Sequence, residues 1–363
     1  MLPLTVVIAC YRVAPFVGAC LRSAFEQDYE GPLEYLILDD GSGDETRAAI
    51  EDAVAAWGSG RDIRLILHNE NKGIAASMDE LLREARYDHL VWMDGDDLYS
   101  SDRCSVAASL FEEYPDAQLL VASLMNADAD GRPLSLRGYA HNVPNDRLPA
   151  TLALRQAEER IRGRMEDEGG VRVDGYGTGM CMNRALYLRW GPLTESGFQE
   201  RCSQDAPWVL RAYLSGTIVG DARIAGRYRS HDANLYNRRC GQGLRGKIDY
   251  ELFWTRNQQM PLATLRRHLL DVERALADPS LTDWPAKDLL RLKRYLETTL
   301  RGHVMRDCWW DVPWMERFRR TLRYRARVLT DLRNWPLGRL LPLSVFVWLK
   351  YGIVSRLKKT FSS

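Results

Sequence analysis

The chain has 363 residues, 45% of them hydrophobic and 27% charged, which argues against a disordered chain and leaves room for one large or two modest globular domains with ample core. Its 50 Lys and Arg nearly balance 49 Asp and Glu, yet residues 291–363 carry about +12 and residues 1–290 about −11, so the acidic part opposes any nucleic-acid partner. Seven cysteines form no C-x-x-C pair; an odd number is a poor disulfide framework and predicts a reducing, cytoplasmic compartment.

Leu2–Ile8 lacks a basic stretch and a small-residue cleavage site, so no secretion signal is expected there. Four apolar runs, Leu4–Ala9, Leu33–Leu38, Ile63–Leu67 and His89–Met93, read as strands. Helical patterns separate them near Pro15–Gln27, Glu45–Trp57 and Ile74–Ala85. Strands alternating with helices predict an α/β fold with a doubly wound, mostly parallel sheet, and such sheets bind ligands beyond the carboxyl ends of their strands. Residues 126–150, rich in Asn, Asp, Gly and Pro, read as loop, and 151–168 as an amphipathic helix. After about residue 245 the pattern is almost wholly helical, with breaks expected at Pro261, Asp278-Pro279, Pro285, Pro313 and Pro336. Two regions follow: 1–240, α/β, and 241–363, helical and basic.

The strand ends carry the chemistry. Asp94, Asp96 and Asp97 crowd the exit of the run Leu90–Met93, where like charges repel unless a cation lies between them. A hard divalent ion shared with a diphosphate is one explanation; an Asp-Gly turn with a helix N-cap is the other. Asp39-Asp40-Gly41-Ser42 repeats the arrangement: an Asp there can accept from a base or ribose, or cap the helix beginning near Glu45. Tyr11 can stack on a base or belong to the core. Asp205, before Ala206-Pro207, reads locally as a helix N-cap, and His231 as a lone structural histidine.

In order, Val6–Tyr11, Leu38–Thr46, Asn71–Ser77, Trp92–Asp97, Gln204–Trp208 and Tyr228–His231 resemble the inverting glycosyltransferase family 2, over about residues 1–235. The resemblance implies the GT-A fold and roles for particular residues. Tyr11 and Asp40 would hold the nucleobase, and Lys72 and Arg229 would join the donor site. Asp94 would sit by ribose and metal, and Asp96 would ligate Mn²⁺ or Mg²⁺. His231 completes the metal shell in some members, and Asp205 would be the general base. The donor implied is a nucleotide-diphosphate sugar, UDP foremost, and the acceptor a glycan or glycolipid of the cell envelope. The sequence departs from the family pattern at three positions: Arg12 and Asp79 stand where Asn is common, and Gln204 where Glu precedes the base. Val173–Met180, rich in glycine, resembles the segment lining the donor-sugar and acceptor site.

The chemistry agrees with that casting. Charge developing on a leaving diphosphate needs an electrophile, and an attacking hydroxyl needs a base in reach. One base and one displacement give inversion. The rivals are nucleotidyl transfer, which lacks its Gly-rich signature at Ala9-Cys10-Tyr11-Arg12, and a scaffold that binds nucleotide sugars without turnover. In the tail, Leu340–Leu349 is apolar but shorter than the ~20 residues of a membrane span. With Lys350, Arg356, Lys358 and Lys359 beside it, it reads either as a peripheral anchor on an anionic membrane, at the inner face of the cell membrane, or as a helix packed on the catalytic domain with a solvated basic face.

Overall fold

The structure is a computed structural model that describes residues 1–137, 147–148, 177–194, 202–231, 234 and 259–307. The predicted alternation is present from the first residues: β1 (Leu4–Cys10), α1 (Ala14–Phe25), β2 (Leu33–Asp39), α2 (Thr46–Trp57), β3 (Asp62–Leu67), α3 (Ile74–Glu84) and β4 (His89–Asp94). There follow β5 (Leu98–Tyr99), α4 (Arg103–Glu113), β6 (Ala117–Ala127), β7 (Pro133–Arg137) and β8 (Arg147–Leu148). After these come β9 (Met180–Asn183), α5 (Arg184–Trp190), α6 (Ala206–Ser215), β10 (Thr217–Arg229), α7 (Gln259–Ala277) and α8 (Ala286–Asp307).

Among the described residues the sheet runs β3-β2-β1-β4-β9-β6-β10-β5, with β7 added to β6 and β8 to β10. The first four strands pair in parallel; β1, β2 and β4 are buried, while β3, at the sheet edge, is partly exposed. Along β1 the side chains alternate: Val6 and Ile8 pack with α1, α2 and α4, while Val7 and Ala9 pack with α3, α5 and α6. Short β9 is inserted antiparallel between β4 and β6, with Cys181 opposite both Val91 and Leu120.

Residues 126–150 are not all loop, as the composition suggested. β7 pairs antiparallel with β6 across a turn in which Asp128 Oδ1 accepts from the Asp130 and Arg132 amides. The turn-forming residues close a hairpin there, and its second strand exposes Leu134 and Leu136. The expected break at Pro261 also fails, because Pro261 lies in the first turn of α7, where a missing N–H costs nothing. The breaks at Pro279 and Pro285 do separate α7 from α8.

The helices α7 and α8 are continuous with the core. Ala263, Val272, Ala275, Leu289, Leu292 and Leu296 belong to the same buried cluster as β1, β4 and α3. A fully buried ionic group reinforces this: Asp271 on α7 accepts from Arg211 of α6 through Nε (3.0 Å) and Nη2 (3.1 Å) and from Arg267 Nη2. Arg211 Nη1 and Arg267 Nη1 donate onward to the Gly191 and Leu193 carbonyls. That 191–194 turn is held from its other side by Asp79, which accepts from the amides of Leu193 and Thr194 and the Thr194 hydroxyl. A carboxylate at position 79 can accept three donors, which an amide oxygen would serve less well. The expected helix 151–168 and the basic aromatic tail lie outside the described residues. No helix among the described residues is long and apolar enough to cross a membrane.

Candidate active site

The carboxyl ends of β1, β2 and β4 are adjacent in the sheet, so the motifs Tyr11-Arg12, Asp39–Ser42 and Asp94–Asp97 meet on one edge. Gly41 adopts a left-handed conformation (φ 64°), and a Cβ there would stand 2.4 Å from the Glu70 carbonyl carbon. Only glycine permits that approach of the two loops. Arg12 is the described non-glycine residue with positive φ (54°), held by its amide on Ser42 Oγ (3.0 Å) and its Nε on the Ser42 carbonyl (3.3 Å). Asn tolerates this conformation better than Arg, which gives a physical reason for the Asn common in the resembling family. Tyr11 is exposed at the strand end, not part of the core, with the Arg12 guanidinium 5.3 Å from its ring centre.

Asp40 is buried and organises the loop before α3. Its carboxylate accepts from the amides of Lys72 and Gly73 and from Asn71 Nδ2, each at 2.9 Å, and lies 2.9 Å from His68 Nδ1. Capping of α2 falls instead to Asp44, which accepts from the Thr46 amide. Lys72 is half-exposed, its Nζ 3.3 Å from Glu80 Oε2 and 3.1 Å from His68 Nε2.

The acidic turn is the centre of the site. Asp94 accepts from Thr178 Oγ1 (2.9 Å) and from Gln204 Nε2 (3.0 Å). Burial first, and then the charge of Asp96, push its pKa up to about 6 despite those hydrogen bonds. Thr178 also reaches the fully buried Asp97. One hydroxyl proton cannot serve two carboxylates. Burial first, and then the charges of Asp96 and Asp94, raise the Asp97 pKa well above the ordinary value. Asp96 Oδ2 lies 3.1 Å from His231 Nε2 and accepts from Asn234 Nδ2. The His231 ring is stacked on Phe16 at 4.0 Å, and its buried Nδ1 has no hydrogen-bond partner among the described residues.

Gln204 therefore does what a glutamate could not do at the same place without repulsion: its amide donates to Asp94. Gly177 lies over the same carboxylate, where a Cβ would approach Asp94 Oδ2 to 3.0 Å and Gln204 Nε2 to 2.9 Å. Asp205 does cap α6, accepting from the Ala206 amide at 2.8 Å, and its charge also reaches Asp94. Arg229 sits beneath the turn, buried. Its guanidinium donates to the carbonyls of Asp96 and Phe16, and its amide to Asp97. It braces the acidic turn through these bonds. Thr178 is the residue that composition alone underrates, since its setting, Gly177-Thr178-Gly179, reads as a turn.

The donor set of two carboxylates, Asp94 and Asp96, with an imidazole fits a hard divalent ion. Among the described residues no three His, Cys, Asp or Glu side chains converge as a finished metal shell, and Mg²⁺ ordinarily takes one or two carboxylates with phosphate oxygens supplying more. The raised pKa of Asp94 carries a testable consequence. A folded-state pKa above the unfolded value stabilises at low pH, and that stability is lost as pH rises through about 6. In EDTA, Asp94→Asn should therefore melt a few degrees above the parent at pH 7.5, with the gap narrowing toward pH 4.5. A gap independent of pH in differential scanning calorimetry would contradict it.

A parallel α/β half-sheet, an inserted antiparallel strand and an acidic turn at the end of β4 define the GT-A class of fold. Residues 5–167 match the family model for glycosyl transferase family 2. The uncharacterized glycosyltransferase EpsJ of Bacillus subtilis is 29% identical over 103 residues, 28% of this chain and 28% of that protein. The teichoic acid poly(glycerol phosphate) polymerase of Staphylococcus epidermidis is 27% identical over 98 residues, 27% of this chain and 13% of that protein. The alignments thus span under a third of these relatives. The crystal structure of S. aureus TarS 1–349 in complex with UDP superposes with a TM-score of 0.53 at 12% identity, covering 98% of this chain and 92% of that one. That likeness is one of fold.

Proposed function

We propose that the protein is a metal-dependent, inverting glycosyltransferase that moves a sugar from a nucleotide diphosphate, UDP foremost, to a hydroxyl of a glycan or glycolipid acceptor of the cell envelope. One observation carries the reading: Asp94, on the acidic turn, is hydrogen-bonded to Gln204, whose neighbour Asp205 begins α6. Metal-side carboxylates and a candidate base are thereby held on two elements facing one another. UDP in the TarS structure of the same fold supports the choice of nucleotide. Bound Mg²⁺ or Mn²⁺ would neutralise charge developing on the leaving diphosphate.

The chain's own residues do the rest. Tyr11, exposed beside Arg12, offers a face for the base, and Lys72 a cation at the neighbouring loop. Asp94 and Asp96 would hold the ion, with His231 beside Asp96. Asp205 would take the proton of the acceptor hydroxyl as it attacks from the face opposite the leaving group, which inverts the anomeric carbon.

The test is a thermal-shift panel of UDP-, GDP- and dTDP-sugars with and without Mn²⁺. A donor present at a hundredfold excess over its Kd should stabilise the fold by about 2.7 kcal/mol, and the shift should require the ion. A flat response to every nucleotide sugar would overturn the reading.

A further inference from the structure

Asp205 and Gln204 lie on a short turn that enters α6, and a turn fixed only at one end would leave both side chains loosely aimed. The contacts that secure it come from the C-terminal helical region. Thr264 on α7 accepts from the Ser203 amide through Oγ1 at 2.9 Å. Ser203 in turn donates its hydroxyl to Asp205 Oδ1, the oxygen that also accepts from the Ala206 amide. One helical turn further along α7, His268 hydrogen-bonds the Ala206 backbone, and burial lowers its pKa to about 4, so it stays neutral there. The other end of α6 is gripped by the connection from α7 to α8: the Thr282 hydroxyl and the Asp283 amide donate to the Leu214 carbonyl, and Trp284 Nε1 donates to that of Tyr213. The buried Arg211–Asp271 pair locks the middle.

We infer that Thr264 and Ser203 are positioning residues that aim Asp205, so that α7, outside the stretch matched to the family, completes the catalytic turn. Two hydrogen bonds on Oδ1 fix the plane of the carboxylate, and Thr264 fixes the residue that supplies one of them. Displacement of a base by an ångström can lower turnover by about a hundredfold; loss of one hydroxyl from this chain should lower it by about tenfold. The inference rests on the reading of Asp205 as the base.

Two measurements test it. The first needs no donor: hydrogen exchange at the Ser203 amide should accelerate in Thr264→Val and return to the parent rate in Thr264→Ser, which restores the hydroxyl. An unchanged rate in Thr264→Val overturns the inference. The second uses whichever nucleotide sugar of the UDP, GDP and dTDP panel is turned over. Ser203→Ala should lower kcat about tenfold with donor KM within twofold, and should have no further effect on the residual turnover of Asp205→Asn. A Ser203→Ala enzyme with parental kcat, beside an inactive Asp205→Asn, sinks the positioning role and leaves the base standing. A fully active Asp205→Asn sinks the base and the positioning role together. Should Thr264→Val not fold, Ser203→Ala still decides, because its side chain lies on the turn itself.

Discussion

Asp205→Asn is expected to cut turnover by about a hundredfold or more while leaving donor affinity nearly intact. The side chain caps α6 by accepting from the Ala206 amide, and an amide oxygen can still accept that bond, so the helix should survive. What Asn cannot do is take a proton. The charge change also removes one of the carboxylates that raise the pKa of Asp94, so donor binding through the ion should weaken only slightly. Single-turnover kinetics with calorimetric donor binding would separate the two effects; wild-type turnover in the variant would assign the base elsewhere.

The second large effect concerns the ion. A nucleoside diphosphate should bind at least about tenfold more tightly with Mn²⁺ than in EDTA, because Asp94, Asp96 and an anionic diphosphate repel one another when no cation intervenes. Asp96→Asn should remove most of that difference, since its Oδ2, beside His231 and Asn234, is lost as an anionic ligand. Equal affinity in both media, measured by isothermal titration, would exclude a shared ion at this turn.

Much of the N-terminal half is legible in the sequence for a simple reason. A parallel strand buried on both faces reads as a largely apolar run, and Leu4–Cys10, Leu33–Asp39 and His89–Asp94 are such runs, with polar ends at the candidate site. The later strands lack that signature: β9 has four residues, and β7 lies at an edge amid turn formers. Candidate site residues announced by charge, such as Asp94 and Asp96, are easy to find. Thr178, Ser203 and Thr264 are not, because a hydroxyl acquires its role only from what folding places 2.9 Å away. Arg229, which the resemblance places at the donor site, is buried with its guanidinium on backbone carbonyls, a placement its sequence setting does not announce.

The Arg211–Asp271–Arg267 group bears on how such a chain can be divided. Arg211 is fully buried, with its guanidinium 4.6 Å from the Trp208 ring centre, and Asp271 neutralises it from a helix more than a hundred residues beyond the stretch matched to the family. Removing the partner of a buried charge costs about 3 to 5 kcal/mol. The glycosyltransferase-like portion is therefore not a severable module, and a chimera built by exchanging acceptor-side segments among relatives must transfer α6 and α7 as one unit.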